Sequence, residues 1–151
     1  MYSAIDIAKY FVNLNNELTE LQIQKLVYYS YVWYIVKFNN DKDNIVNKLF
    51  DEKPQAWKYG PVFVSIYEAM RCCDKGFICK SCFIDKEYEC KFDDKTQNLL
   101  SIVYNVYGKF SGNRLSDMTR SEDPWKKTSL EDEIKDTDIY EYFSKSDEEK
   151  N

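Results

Sequence analysis

The sequence contains no histidine among its 151 residues, and this absence narrows the chemistry open to the chain. Histidine is the commonest general base and neutral metal ligand, and it completes every Ser-His or Cys-His nucleophile pair. Most hydrolase mechanisms are thereby excluded. The four glycines are isolated and match neither dinucleotide nor nucleoside-triphosphate fingerprints. We therefore expect no catalytic residues and no cofactor.

Glycine and proline are also scarce, with four and three residues respectively. An all-β domain usually needs many more turn residues to join its short strands. Apolar residues make up 44% of the chain and aromatic residues 17%, which is ample material for a core in a chain of common domain size. These features favour a single, mainly helical domain.

Long apolar runs are missing as well. The longest run, from Leu26 to Val36, is interrupted by Ser30 and is shorter than a membrane-spanning helix. The first residues lack the basic start and apolar stretch of a secretory signal. The net charge of −5 disfavours nucleic acid and anionic membrane surfaces. We predict a cytoplasmic protein that binds neither nucleic acid nor membrane.

Five cysteines make a disulfide framework a poor interpretation, because the number is odd and no secretory signal is present. Free cysteine usually behaves as a small buried hydrophobe, and we prefer that interpretation. The minor alternative is a zinc site in which a Cys-x-x-Cys pair joins two further thiolates. Cys72 and Cys73 are adjacent, so only one of them is expected to face such a site. The alternative ligands are Cys73, Cys79, Cys82 and Cys90.

Helix start signals in the first half of the chain predict where its helices begin. Ser3 with Asp6, and Thr19 with Gln22, resemble capping boxes in front of helically spaced apolar residues. The second helix is apolar over much of its girth and should lie at the centre of the domain. Residues 49–59 are predicted to be extended or irregular, and Gly60-Pro61 is predicted to open a third helix.

The second half is predicted to begin with a small β-hairpin over residues 77–88. Asp93 or Asp94 should cap a fourth helix that stops near Gly108, and a further helical piece should cover residues 115–119. A capping Asp123 before Pro124 and a last helix from Asp136 or Thr137 complete the pattern. The predicted fold class is mainly α with some β (α+β). It is a compact bundle of five to seven helices with a small hairpin, spanning residues 1–143 before a polar, disordered tail at 144–151.

Aromatic residues are the best candidates for a binding surface. Those of the second helix, including Tyr28, Tyr29 and Trp33, cannot all face one side, so they either pack in a broad core or form a partner surface. Trp57 and Tyr59 lie on the extended segment and are the better candidates, because loops tend to carry function. A tryptophan such as Trp57 is nevertheless more often a core anchor than a binding hot spot.

Four blocks give the chain its resemblance to a known family. They are residues 1–11, residues 21–29, the segment Ala56-Trp57-Lys58-Tyr59-Gly60-Pro61-Val62 followed by Tyr67, and residues 115–125 ending in Asp123-Pro124-Trp125. Together they resemble the Panacea domain, or SocA-like, family of antitoxins and phage-associated proteins. Two positions depart from the family pattern. Arg120 stands where the family usually has histidine, and Tyr31-Val32 stands where glutamine and glycine are frequent.

The resemblance implies an antitoxin that neutralises a cognate protein toxin by direct contact, without catalysis. One family member instead acts as an adaptor that presents its toxin to an ATP-dependent protease, so this mechanism is a close competitor. A phage- or mobile-element-encoded inhibitor of a host protein is the alternative. The partner-binding framework that the residues and the resemblance together predict comprises Lys25, Tyr28, Tyr29, Trp33, Trp57, Tyr59, Gly60, Pro61 and Trp125.

Overall fold

Helices dominate the part of the chain that the computed structural model describes, which is residues 1–71, 83–84, 87–89 and 91–149. The elements are α1 (Ala4–Leu14), α2 (Glu20–Phe38), β1 (Gln55–Trp57), β2 (Gly60–Val62), α3 (Val64–Ala69), α4 (Asp94–Tyr107), α5 (Gly112–Ser121), α6 (Asp123–Lys126) and α7 (Asp136–Glu149). The predicted class, a mainly helical bundle with a small antiparallel hairpin, is confirmed.

Both predicted capping boxes are present. The Ser3 hydroxyl accepts the backbone N–H of Asp6, and the Asp6 carboxylate accepts the N–H of Ser3. Thr19 and Gln22 make the same reciprocal pair at the start of α2. Each box satisfies backbone N–H groups that have no partner within the helix.

Helix α2 is the centre of the domain. Helices α1, α4, α5 and α7 and strand β2 all pack against it. Its buried residues run around the whole circumference and include the polar side chains of Gln24, Lys25 and Ser30. The sequence predicted this central position because the helix has no polar face.

The hairpin lies at 55–62, and the prediction that Gly60-Pro61 opens a helix is wrong. Pro61 is the middle residue of β2 and pairs with Ala56, while α3 begins only at Val64. Proline is tolerated there because Ala56 directs its backbone groups away from β2: its N–H donates to Asp132 O and its C=O accepts from Glu131 N. The hairpin predicted at residues 77–88 lies largely outside the described residues.

The second half of the bundle follows the predicted order with one correction. Asp93 caps α4 and Gly108 ends it, as predicted. The N-cap of α6 is Glu122, so Asp123 and Pro124 are already helical and Asp123 is not the cap. Helix α7 begins at Asp136 and continues to Glu149, past Ser144, where the tail was predicted to begin.

Asp136 also anchors α7 to the rest of the bundle. Its carboxylate is 3.1 Å from Lys48 Nζ and accepts a short hydrogen bond from the buried Tyr31 hydroxyl. No helix within the described ranges combines the length and the apolar character that crossing a bilayer requires.

Candidate functional site: an aromatic groove beside the hairpin

The candidate site begins with the way the β1–β2 hairpin is held. Three of its backbone carbonyls accept hydrogen bonds from side chains of three different helices. Trp57 O accepts from Trp125 Nε1 at 2.9 Å, Pro61 O accepts from Lys25 Nζ at 2.9 Å, and Tyr59 O accepts from the Ser116 hydroxyl. The hairpin is therefore fixed to α2, α5 and α6 before any partner arrives.

Gln24 extends this attachment along the chain that leaves β2. Its side-chain oxygen accepts the N–H of Phe63 at 2.9 Å, and its amide nitrogen donates to Phe63 O at 3.1 Å. One buried side chain thus satisfies both backbone groups of a buried residue that lies outside the sheet.

Gly60 allows the close approach between the hairpin and α2. Its φ is +112°, a conformation that residues with a Cβ rarely adopt. A Cβ built there would lie 2.6 Å from Thr119 Oγ1 and 2.8 Å from Lys25 Cε. The position therefore requires glycine both for its backbone angle and for the space.

A groove of about 590 Å³ opens between the hairpin, the first turns of α2 and the residues of α3. Its floor is largely apolar, and the Trp57 and Tyr67 rings meet edge to face at 4.9 Å. The Tyr59 side chain stands at its edge with 57% of its surface exposed. We call this feature the hairpin groove. Its lining residues are Thr19, Glu20, Leu21, Gln24, Lys25, Trp57, Lys58, Tyr59, Val62, Tyr67 and Arg71.

Cationic groups surround the hairpin groove. The Arg71 guanidinium lies 4.2 Å from the centre of the Tyr67 ring and 2.9 Å from a Glu20 carboxylate oxygen. Lys25 is fully buried, and the loss of hydration lowers its pKa to about 7, with a further lowering from the positive charge of Arg120. Glu20 acts in the opposite direction on the Lys25 pKa. Such ammonium and guanidinium groups bind anions rather than metal cations.

A second cluster of unusual groups lies behind the hairpin, where Glu122 precedes α6. The Tyr29 hydroxyl is 3.1 Å and 3.2 Å from the two Glu122 carboxylate oxygens. Burial raises the pKa of Glu122 to about 8, while the hydrogen bond from Tyr29 opposes this rise. The Tyr29 ring stacks on the Tyr107 ring at 3.9 Å, and the Tyr107 hydroxyl accepts from Trp33 Nε1. This cluster connects α2, α4 and the start of α6.

The structure divides the predicted site residues into three groups. Lys25, Trp57 and Tyr59 line the hairpin groove, and Gly60 and Pro61 form the strand beside it. Trp125 holds the hairpin from α6 without lining the groove.

The remaining three lie elsewhere. Tyr28 and Tyr29 have no exposed surface and belong to the core. Trp33 lines a separate groove of about 210 Å³ between α2 and α4, where Ile102 and Val106 are each more than 40% exposed. The five cysteines lie outside the described residues, so the zinc alternative stays a prediction.

Sequence reasoning missed two parts of the site. Glu20 and Arg71 are 51 positions apart, and no local pattern predicts their ion pair. No sequence pattern sets Glu122 apart from the other acidic residues, and only its position beside Tyr29 distinguishes it. Tyr67 follows the Trp57 segment in the sequence, but its contact with the Trp57 ring depends on the turn of the hairpin.

Comparison with known proteins is informative at the family level. The family model described as antitoxin SocA-like, Panacea domain, matches residues 23–126, which is more than half of the chain. The matched range contains Lys25, the whole hairpin and Trp125. No curated protein and no solved structure matches the chain.

Proposed function

The chain belongs to the SocA-like antitoxin family with the Panacea domain, and from this premise we propose that it neutralises a protein toxin by direct contact at the hairpin groove. The observation that carries the proposal is the immobilised hairpin, which presents Trp57 and Tyr59 beside an apolar groove. Tyrosine and tryptophan are enriched at binding hot spots.

The hydrogen bonds at the hairpin support this function physically. Ordering a loop on binding costs free energy that subtracts from affinity. In this hairpin the carbonyls of Trp57, Tyr59 and Pro61 are already satisfied by side chains from the bundle. A partner would therefore meet a surface that needs little further ordering.

We also propose that the domain performs no chemistry of its own on the toxin. Its sequence has no histidine, and the Lys25 ammonium is buried and already donates to Pro61 O. Neutralisation would then follow the amount of complex formed, without turnover.

Growth rescue is the direct test. The protein is co-expressed with toxic open reading frames encoded beside it, and the native chain should restore growth against one of them. Tyr59→Ala should lose rescue, since it removes an exposed ring while leaving the backbone carbonyl that Ser116 holds. Circular dichroism of the variant should match that of the native protein.

Ile102→Ala is the matched control, because it removes an exposed apolar side chain from the separate α2–α4 groove. It should rescue growth as well as the native chain does when blockade is the mechanism. Full rescue by Tyr59→Ala, or failure to rescue against every neighbouring reading frame, would refute the proposal.

The α2–α4 groove favours an adaptor as the second candidate function. An adaptor needs one surface for the toxin and another for an ATP-dependent protease, and this groove exposes Ile102 and Val106 on a face distinct from the hairpin groove. In that case an Ile102→Ala, Val106→Ala double variant should still bind the toxin, but the toxin should no longer disappear from cells. Unchanged toxin degradation with this variant would exclude this use of the groove.

A further inference from the structure

The hairpin groove differs in charge from the chain as a whole. The chain carries a net charge of −5, whereas the groove is lined by three basic side chains, Lys25, Lys58 and Arg71, and by a single carboxylate, that of Glu20. Glu20 is already paired with Arg71 at 2.9 Å. Among the residues that the structure describes, neither Lys25 nor Lys58 has a carboxylate within ion-pair distance.

Two of these cations lie beside aromatic rings of the groove. Lys58 is on the exposed loop of the hairpin, with its ammonium 5.5 Å from the centre of the Tyr59 ring. Arg71 stands over Tyr67 at the end of α3. The apolar residues that line the groove with them include Leu21, Trp57 and Val62. A groove lined by apolar residues and by these two cations is complementary to a peptide whose apolar side chain is flanked by carboxylates.

On the basis of the proposed function, we propose that the toxin segment held by the hairpin groove is acidic. An apolar side chain of this segment packs on Trp57 and Val62, and its flanking carboxylates pair with Lys58 and Arg71 above the buried ammonium of Lys25. The proposal adds the chemical class of the bound segment, which the family match does not supply.

Lys25 adds a buried charge to the groove, whereas the charges at the rim of an interface are usually exposed to solvent. Its ammonium donates to Pro61 O and lies near the Thr119 hydroxyl. The charged groups around it are Glu20 on α2, Arg120 on α5, Lys58 on the hairpin and Arg71 after α3, so cations outnumber the one carboxylate. Carboxylates brought into the groove offset this excess and favour the charged form of Lys25.

Charge reversal at the rim is the first test. The probes are short overlapping peptides covering the toxin whose growth effect the protein suppresses, and binding is measured by fluorescence anisotropy. Lys58→Glu and Arg71→Glu should each weaken the tightest-binding peptide about tenfold or more, because like charges are then brought together. A peptide with lysines in place of its acidic residues should regain binding to Lys58→Glu.

Lys42→Glu is the control for net charge. It makes the same change on an exposed residue beyond the C-terminal end of α2, whereas the groove lies at the N-terminal end. Affinity for the peptide should remain at the native value. Circular dichroism on all three variants separates a folding defect from lost binding.

Proton uptake provides an independent readout. With its pKa near 7, Lys25 is largely neutral in the free protein at about pH 8. Binding of carboxylates should therefore take up protons, and affinity should weaken as pH rises above about 7. Calorimetry at about pH 8 in two buffers of different ionisation enthalpy measures this uptake, which Lys25→Met should abolish. Should Lys25→Met fail to fold, proton uptake by the native protein on binding still tests whether the bound segment is acidic.

The outcomes separate this inference from the proposed function. If the toxin is neutralised but the rim reversals bind as tightly as the native chain, and binding takes up no protons, the groove does not hold an acidic segment and the inference is overturned. If no toxin is neutralised, the proposed function itself fails. A single-stranded oligonucleotide that binds the native chain and is lost by Lys58→Glu, with no peptide bound, would also overturn the inference.

Discussion

Two single residues of this domain are under unusual constraints, one electrostatic and one steric. The electrostatic constraint is the burial of the Glu122 carboxyl group. Glu122 lies between α5 and α6, and packing against Tyr29 and the surrounding tyrosines removes most of its hydration. Among the residues that the structure describes, the buried Tyr28 hydroxyl near it has no hydrogen-bond partner. The polar groups buried around Glu122 therefore lower the stability of the domain, because they lose hydration.

Glu122→Gln should change the pH dependence of stability. The folded pKa of Glu122, about 8, lies above the usual value of 4.5, so the folded state binds this proton more tightly. Its contribution to stability is therefore greatest below about pH 4.5 and is lost as pH rises towards 8, by up to about 1.4 kcal/mol per pH unit. Glutamine keeps an acceptor for Tyr29, so urea unfolding should show a stabilisation that grows from pH 5 to 8.

Asp123→Asn is the neighbouring control for this measurement. The Asp123 side chain is 46% exposed, so its substitution should leave the pH slope near the native one. If Glu122→Gln and the native chain lose stability in parallel between pH 5 and 8, the Glu122 carboxyl is already ionised in the folded state.

Gly60 imposes the steric constraint. Gly60→Ala should lower the free energy of unfolding by at least about 2 kcal/mol, because alanine is strained at a φ of +112° and its Cβ would press on Thr119 and Lys25. Chemical denaturation measures the loss. Lys58→Ala, two positions away on the exposed loop, should change stability by less than about 0.5 kcal/mol. Equal effects of the two substitutions would contradict the steric argument.

At the scale of elements, the hairpin depends on its neighbours rather than on its own short strands. Two strands of three residues are marginal in isolation, and the turn residues Lys58-Tyr59 do not favour a tight hairpin turn. The far edge of β1 is paired with the chain at residues 131–134, and α2, α5 and α6 hold the carbonyls. The hairpin is thus stabilised mainly by its tertiary contacts and not by the pairing of its two strands.

Trp125→Phe should loosen this attachment selectively. It keeps an aromatic ring but removes the Nε1 donor to Trp57 O, which should cost about 1 kcal/mol. Hydrogen exchange should become faster at the hairpin amides while those of α1, which packs against α2 and α3, keep their native protection. Uniformly faster exchange throughout the chain would show that Trp125 supports the whole bundle instead.

At the scale of the molecule, helix α2 organises one core. Most of the other helices reach it directly, and Phe143 on α7 lies against Tyr29 and Trp33. Phe143 is also the last residue described as buried, with 2% of its surface exposed. The next three residues, 144–146, are not buried.

Deleting residues 144–151 should therefore leave the thermal midpoint close to that of the native chain. Deleting residues 140–151 removes Phe143 and should lower stability by about 3 kcal/mol or more, since a buried phenylalanine is lost. Differential scanning calorimetry compares the two truncations. A large loss from the shorter deletion would place residues 144–149 within the folded unit.

Local signals in the sequence were enough to predict much of this architecture. Ser3, Thr19 and Asp93 mark helix starts because each side chain bonds a backbone N–H within the next few residues. The central position of α2 was readable from its lack of a polar face. The extended backbone up to Tyr59 was predicted too, whereas the helix start at Gly60-Pro61 was predicted wrongly.

Contacts between distant residues decided the rest. Pro61 is an equally good first residue of a helix or member of a strand edge, and the choice was made by Ala56, whose backbone groups turn away to residues 131 and 132. Lys25, Glu20 and Arg71 became one charged groove only when α2, the hairpin and α3 met. The sequence by itself determined the helices and the aromatic content, because those depend on neighbours along the chain. The tertiary structure decided which aromatic rings stay exposed and which charges lose their water, because both depend on what packs against them.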